Sequence, residues 1–419
     1  MIYSSVLSNG LRVLILEKVE SPVFSAGVFV RQGSRNEEDD ENGISHFLEH
    51  LLYNNQRAIK RGKKIVEELI NNGGILSAFT TKECTSFEGI ALNNHYQLVL
   101  ECLYELIFDS DFTDEDVEAE RQIILAELKR KLNGSDQIID HLVQGIYDDT
   151  SYGRWILGTT DFINNVKREQ LIKKYSDVYV ADNIALVVIT SLNVKEVLLV
   201  IEDIFSRVHS GLPTAVEVDI TETVNLKVLR QKSNQVYVCL GGIGPSTRDQ
   251  NSSNFELALS SWGNSPNSRL CMSTREKYGL VYQIQSFYRG YIQTGQWGVY
   301  ASVSKDNFSR LLEVIFDEID RFHSVPLSET EITRVISTMK TNLYIMLQKP
   351  ELYLRLLGRR GIFREVIYPN EIIRQFELAN ANNIKDVVNR FINKDSISMV
   401  VMGDIETDSI LQTINKIGV

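Results

Sequence analysis

The sequence predicts an α+β fold of two related domains, each a mostly antiparallel sheet with helices packed on one face. Three observations predict it. A chain of 419 residues exceeds the size at which a single hydrophobic core keeps growing. Helical and β-rich segments alternate without the strict βαβ rhythm of a doubly wound sheet. The order of elements in the second half repeats that of the first, a repeat of element order and not of residue identity.

The elements follow in order. Leu11 to Leu16 is a β-rich run after Asn9-Gly10, and Val23 to Val30 is another before Gly33. A polar loop, Asn36 to Asn42, leads through Gly43 into an apolar helix over Ile44 to Tyr53, and Lys60 to Asn71 reads as a helix ended by Gly73-Gly74. Leu76 to Thr81 and Thr85 to Leu92 alternate as strands do, and Gln97 to Phe108 is helical. Thr113 to Leu132 is the clearest helix. Thr113 caps it, Asp114, Glu115 and Asp116 complement the positive end of its dipole, Lys129, Arg130 and Lys131 complement the negative end, and Asn133-Gly134 stops it. A strand over Ile184 to Thr190 and a helix over Val194 to Ser206 close the first half. His209 to Val218 holds Gly211, Leu212 and Pro213 without periodicity, which places a first domain over 1–208, a linker over 209–222 and a second domain over 223–419. That domain opens with a strand (Gln235 to Gly241) and a helix near Phe255 to Ser261. A β pair (Val281 to Arg289, Gln296 to Val303), long helices and a closing strand at Ser398 to Met402 follow.

Composition narrows the function. With 43% hydrophobic and 24% charged residues the chain is an ordinary globular protein. A net charge of -11 argues against nucleic acid as a partner and favours neutral or basic ligands. Cys84, Cys102, Cys239 and Cys271 have no paired spacing, which suits buried thiols in a reducing compartment. The N-terminus lacks the pattern of a secretory signal, and no apolar run reaches the roughly 18 residues that span a bilayer. The expected location is the cytoplasm, with no membrane partner.

One segment carries chemistry: Gly43-Ile44-Ser45-His46-Phe47-Leu48-Glu49-His50-Leu51-Leu52. On a helix, His46 and His50 project from one face one turn apart, a spacing that grips a single Zn2+. Glu49 lies beside that face, placed to take a proton from a water on the metal. A histidine pair alone is more often an ordinary surface or core feature, but a glutamate at the H-x-x-E-H spacing in an apolar helix shifts the balance. A catalytic zinc needs a third protein ligand. Along the capped helix, Val117, Glu120, Ile124, Glu127 and Leu128 share one stripe, so two glutamates interrupt an apolar face. A metal offsets the burial of one, and a hydrogen bond to a ligand histidine offsets the other. A solvated face with Glu120 paired to basic residues is the alternative. His95, His141, His209 and His323 stand alone, and neither a GxSxG elbow nor a phosphate-binding glycine loop is present.

Residues 43–53, followed by a glutamate 77 positions after His50, resemble the pitrilysin/insulinase family of inverzincin peptidases, in its short-chain, mitochondrial-processing-peptidase-like branch, which includes bacterial processing proteases. The resemblance implies one Zn2+ per chain held by His46, His50 and Glu127, with Glu49 as the base and Glu120 supporting the site without binding metal. Ser5 to Val13, Arg154 to Gly158 and Val400 to Asp404 also fit it. Gly73 to Phe87 is similar to the segment whose strand edge receives the peptide, which makes Ser77, Ala78 and Phe79 substrate contacts. Ser268-Arg269-Leu270, with Arg275 and Tyr282 seven residues apart, matches the pair that contacts the substrate backbone and stabilises the oxyanion. Three departures stand out: Ser77 where asparagine is usual, Ser261 to Pro266 where the family is glycine-rich, and Tyr53 in place of phenylalanine. The implied activity is that of a zinc metalloendopeptidase on short or unfolded peptides. The implied assembly is a homodimer, or a heterodimer with a related chain, in which Arg275 and Tyr282 of one subunit complete the zinc site of the other. The rival is a non-catalytic peptide-binding scaffold subunit.

Overall fold

A computed structural model of the chain describes residues 1–53, 64–148, 150–211, 220–221 and 223–418. The start of the helix expected from Lys60 and most of the expected linker lie outside these residues. The chain forms two compact units. The first comprises Met1–Lys129, Arg154–Glu217 and Tyr344–Ile367, and the second Arg130–Gly153, Val218–Leu343 and Tyr368–Val419. This corrects the expected domains in two places: 130–153 belongs with the second sheet and 344–367 with the first. The reason is that a sheet has two faces to bury.

The first sheet contains β1 (Ile2–Val6), β2 (Arg12–Glu17), β3 (Val23–Val30), β4 (Ile75–Thr80), β5 (Thr85–Leu92) and β6 (Ile184–Thr190) in the order β1-β2-β6-β3-β5-β4. Only β2 and β6 run parallel. In β3 and β6 the central residues are buried on both faces, so they read as near-continuous apolar runs. On one face lie α1 (Ile44–Tyr53) and α2 (Tyr96–Ile107), joined to the sheet by a core that includes Phe24, Val28, Phe47, Leu48, Leu100 and Leu103. The opposite face, which the sequence left uncovered, takes the helix Pro350–Gly361, whose Leu354 and Leu357 pack with Leu14, Phe29 and Val187. Gly358 permits that approach, since a Cβ there would lie 2.3 Å from the Phe29 ring.

The second sheet contains β7 (Leu226–Arg230), β8 (Gln235–Gly244), β9 (Val281–Gly290), β10 (Gly295–Ser304) and β11 (Ser398–Gly403) in the order β7-β11-β8-β10-β9. With β1 set aside, the two sheets share one topology. The first strand runs parallel to the last, and a hairpin closes the far edge. The faint repeat in element order is therefore a repeat of strand connection. One face carries Ser252–Gly263, Phe308–Ser324 and Ala381–Phe391, and the other is covered by Gln137–Ile146. Strands β1 and β7 went unread in the sequence. Both are five-residue edge strands, largely intermediate or exposed in burial, too short for their patterning to stand out.

Helix α3 (Asp114–Asn133) begins as its capping signal demands. The Asp116 amide donates to Thr113 Oγ1 at 3.3 Å, and the Thr113 amide donates to Asp116 Oδ2 at 2.7 Å. Its buried residues are Val117, Glu120, Ile124 and Leu128; Glu127, expected on the same stripe, is only partly buried.

Candidate metal centre

The site starts with how α1 is held. Glu37, buried in the preceding loop, closes its first turn. Glu37 Oε2 accepts from Asn42 Nδ2 (2.8 Å) and from the Gly43 amide (2.9 Å), and Oε1 accepts from the Ser45 amide (3.0 Å). The Arg154 guanidinium donates to the Glu37 carbonyl and to Asp39. Gly43 takes φ +113°, and a Cβ on it would lie 2.8 Å from the Gly158 Cα, so only glycine serves there. Burial pushes the Glu37 carboxyl up to about 7, against the hydrogen bonds, which pull it down. Between pH 5 and 7 the unfolded chain would thus ionise Glu37 while the folded chain keeps the proton, so this group makes stability fall as pH rises through that window. Glu37→Gln should remove that slope. It should also lower the melting temperature, because an amide left facing the new NH2 group costs about 1–3 kcal/mol. Thermal melts of both proteins across this range check both outcomes.

On α1, His46 and Glu49 are buried and His50 is partly buried. Their rings and the α3 carboxylates converge. His50 Nε2 lies 3.5 Å and His46 Nε2 3.9 Å from Glu127 Oε2, and the three donor atoms fall within 4.8 Å of one another. A tetrahedral zinc with bonds of about 2.0–2.1 Å separates its ligand atoms by about 3.3 Å, so this set is close to closed around an ion. His50 Nδ1 lies 3.1 Å from Glu120 Oε2. With its proton on Nδ1, His50 donates to Glu120 and turns the Nε2 lone pair toward Glu127. Burial, with the neighbouring His50, lowers His46 to about 4 and keeps it neutral; its Nδ1 is buried without a hydrogen-bond partner among the described residues. Burial lowers His50 too, but its bonds to Glu120 and Glu127 outweigh this and raise it to about 9. The donor set therefore fits Zn2+: a neutral imidazole, a second one oriented by a carboxylate, and a carboxylate whose side chain is 32% exposed. It is the one such cluster among the described residues.

Glu49 faces strand β4. The Thr80 hydroxyl donates to Glu49 Oε2 at 2.6 Å, and burial raises the Glu49 carboxyl despite that bond. Among the described residues β4 is an edge strand. The Thr81 amide donates to the Cys84 carbonyl at 2.8 Å, which fixes the phase of the β4–β5 ladder. Leu76, Ala78 and Thr80 then turn their main-chain groups to the free edge. The Tyr53 hydroxyl, absent from phenylalanine, donates to the Leu76 carbonyl at 2.7 Å.

Ser77 and Phe79 point the other way. Ser77 Oγ donates to Glu88 Oε2 at 3.1 Å, and Phe79 lies under the Arg355 guanidinium, 4.3 Å from its ring centre. Arg355 in turn grips the buried Glu88 carboxylate through Nε and Nη2. The Ser77 hydroxyl expected to meet substrate is thus engaged on the opposite face of the sheet.

In the second unit, Arg275 lies on a π-helix over Met272–Lys277, an irregular turn of a kind common at functional sites. Its Nε is 3.7 Å from Glu276 Oε1 and its side chain is 53% exposed. Tyr282 stands on edge strand β9 with 86% of its surface exposed, so neither is a core residue. Arg269 of the S-R-L triplet is instead a brace. It bonds Glu331 through Nε at 2.8 Å and also donates to the carbonyls of Val325 and Pro326. The sequence reading missed Glu37 and the bond from the Thr80 hydroxyl to Glu49. Strand alternation offered a signal for Thr80, which shares a face with Ala78; nothing local marked Glu37.

Known proteins show which family the chain resembles over its length. The profile of Insulinase (Peptidase family M16) matches residues 12–160, and that of the Peptidase M16 inactive domain matches residues 165–339. An uncharacterized zinc protease of Bacillus subtilis is 24% identical over 399 residues, covering 94% of this chain and 97% of the relative. The mitochondrial-processing peptidase subunit beta of Bos taurus is 26% identical over 417 residues, covering 96% and 84%. The crystal structure of a peptidase M16 inactive domain from Pseudomonas fluorescens shares the fold, with a TM-score of 0.89 at 17% identity over 97% of this chain and 98% of that one. The two profiles together span most of the sequence, and the chain belongs to the M16 (insulinase) family of peptidases.

Proposed function

We propose that the chain is a zinc metalloendopeptidase that hydrolyses extended peptides. The observation that carries this reading is the convergence of His46, His50 and Glu127 beside Glu49, with a free strand edge alongside. His46, His50 and Glu127 would hold one zinc, with Glu120 fixing the tautomer of His50. A zinc there would supply Lewis-acid polarisation and lower the pKa of water toward neutral. An extended peptide pairs with the main-chain groups of Ala78 and Thr80, which gives affinity with limited sequence preference. Glu49 takes a proton from the attacking water and returns it to the leaving amine nitrogen. In a dimer, Arg275 and Tyr282 of one subunit donate to the charge that develops on the carbonyl oxygen at the site of the other.

Relatives named as subunits of a processing peptidase support a dimer, of two copies or with a related chain. Four buried cysteine thiols suit the cytoplasm, and among the described residues no helix is long and apolar enough to cross a membrane. The test is zinc content together with cleavage of a quenched fluorescent peptide library, before and after chelation. The expected result is one zinc per chain, turnover lost with the metal and restored by its return. Bound zinc with no turnover, alone or with a related chain, would point to a non-catalytic peptide-binding subunit instead.

A further inference from the structure

We propose that Thr80 is a positioning residue for Glu49, and that it ties the strand that receives the peptide to the base that acts on it. The inference rests on the peptidase reading. Among the described residues the Thr80 hydroxyl makes the only hydrogen bond to the Glu49 carboxylate, which is itself 8% exposed. At 2.6 Å the bond has the length of a charge-assisted O–H···O⁻ contact. A buried carboxylate with a single anchor takes its aim from that anchor. Threonine suits the task, because its branched Cβ restricts χ1 and fixes where the hydroxyl points.

Thr80 is held in turn. It lies opposite Thr85 in the ladder, with the two hydroxyl oxygens 3.3 Å apart. The Thr85 hydroxyl donates to the Gln32 carbonyl at 2.9 Å, and Gln32 Nε2 donates to Ser45 Oγ at 2.9 Å. The chain of contacts starts in the first turn of α1 and returns to Glu49 one turn later, so helix and hairpin are locked at two points. Thr80 also turns its own amide and carbonyl to the free edge of β4. A peptide that pairs there bonds the backbone of the residue whose side chain aims the base. Docking and proton transfer thus share one residue, and a peptide that seats poorly on β4 meets a poorly aimed Glu49.

The test compares Thr80→Val, which keeps the shape and deletes the donor, with Thr80→Ser, which restores it, in the full chain. Thr80→Val should keep zinc content and the fold, melt somewhat lower because the buried Glu49 carboxylate loses its hydrogen bond, leave KM for a quenched fluorescent peptide within about twofold, and lower kcat by about 10- to 100-fold, the worth of one hydrogen bond to a charged group. Thr80→Ser should recover most of kcat. Crystal structures of metal-free wild type and both variants give a readout independent of turnover: the Glu49 carboxylate keeps one position in wild type and Thr80→Ser and leaves it in Thr80→Val. An unmoved Glu49, an unchanged kcat, a loss confined to KM or zinc, or a serine variant as poor as valine would each overturn the proposal. Failure of the parent reading looks different: Glu49→Gln then hydrolyses the peptide as wild type does, or no protein in the series does, while the crystal structures still decide whether Thr80 holds Glu49.

Discussion

Glu49→Gln should bind zinc as wild type does, fold as wild type does, and hydrolyse peptides more slowly by about two to four orders of magnitude, the usual contribution of a positioned acid–base group. Glutamine has the volume of glutamate, so the buried site next to Leu48 and His50 keeps its packing. Its carbonyl oxygen can accept the bond that Thr80 gives to the carboxylate. The metal cluster needs no change, since His46, His50 and Glu127 are the converging donors and Glu49 is not among them. What disappears is proton affinity. Burial raises the Glu49 carboxyl above the usual carboxylate range, with Thr80 pulling against it, and this makes the carboxylate a better base than an exposed one. Zinc content by mass spectrometry and initial rates on one peptide decide the matter. Full zinc with undiminished turnover would remove Glu49 from the reaction.

Much of this arrangement was legible because it is local. Helix α1 spans Ile44–Tyr53, and strands β3, β5 and β6 span Val23–Val30, Thr85–Leu92 and Ile184–Thr190, all with the bounds that apolar patterning and turn residues set. Glu120 and Glu127 were visible for the same reason, as acids on an apolar stripe. The features that escaped join distant segments. Residues 350–361 form an amphipathic helix that would suit any apolar sheet face, and nothing in its own sequence says that Phe29 and Val187 wait for it. Glu37 sits in a polar loop where a glutamate is unremarkable until the amides of Gly43 and Ser45 are seen to point at it. Ser77 shows the limit of carrying a contact over by position. Its shorter hydroxyl finds Glu88 on the same face, an acid that Arg355 holds in place from far along the chain.

The two acids of α3 should separate cleanly when each is changed to glutamine. Glu127 donates an oxygen within 3.5 Å of His50 Nε2, and its side chain is partly open to solvent. Glu127→Gln takes a charged ligand from a three-ligand set and should strip the zinc and all peptide hydrolysis, while the metal-free protein melts as before, because a part-exposed carboxylate contributes little to folding. Glu120 is 2% exposed and meets the far nitrogen of His50. Glu120→Gln keeps an oxygen for the His50 Nδ1–H and loses only its charge, so zinc affinity should fall by about 10- to 100-fold and turnover should return at saturating metal. The pH dependence gives a second handle. Zinc must displace a proton from His50, which the metal-free wild type holds up to about pH 9, largely through its bonds to Glu120 and Glu127. Without the Glu120 charge that proton leaves more easily, so the deficit of Glu120→Gln should be smaller at pH 6 than at pH 9. Competition with a calibrated chelator at the two pH values measures it. Equal zinc affinity in Glu127→Gln and wild type, or a larger loss at Glu120 than at Glu127, would reverse the roles assigned to these two residues.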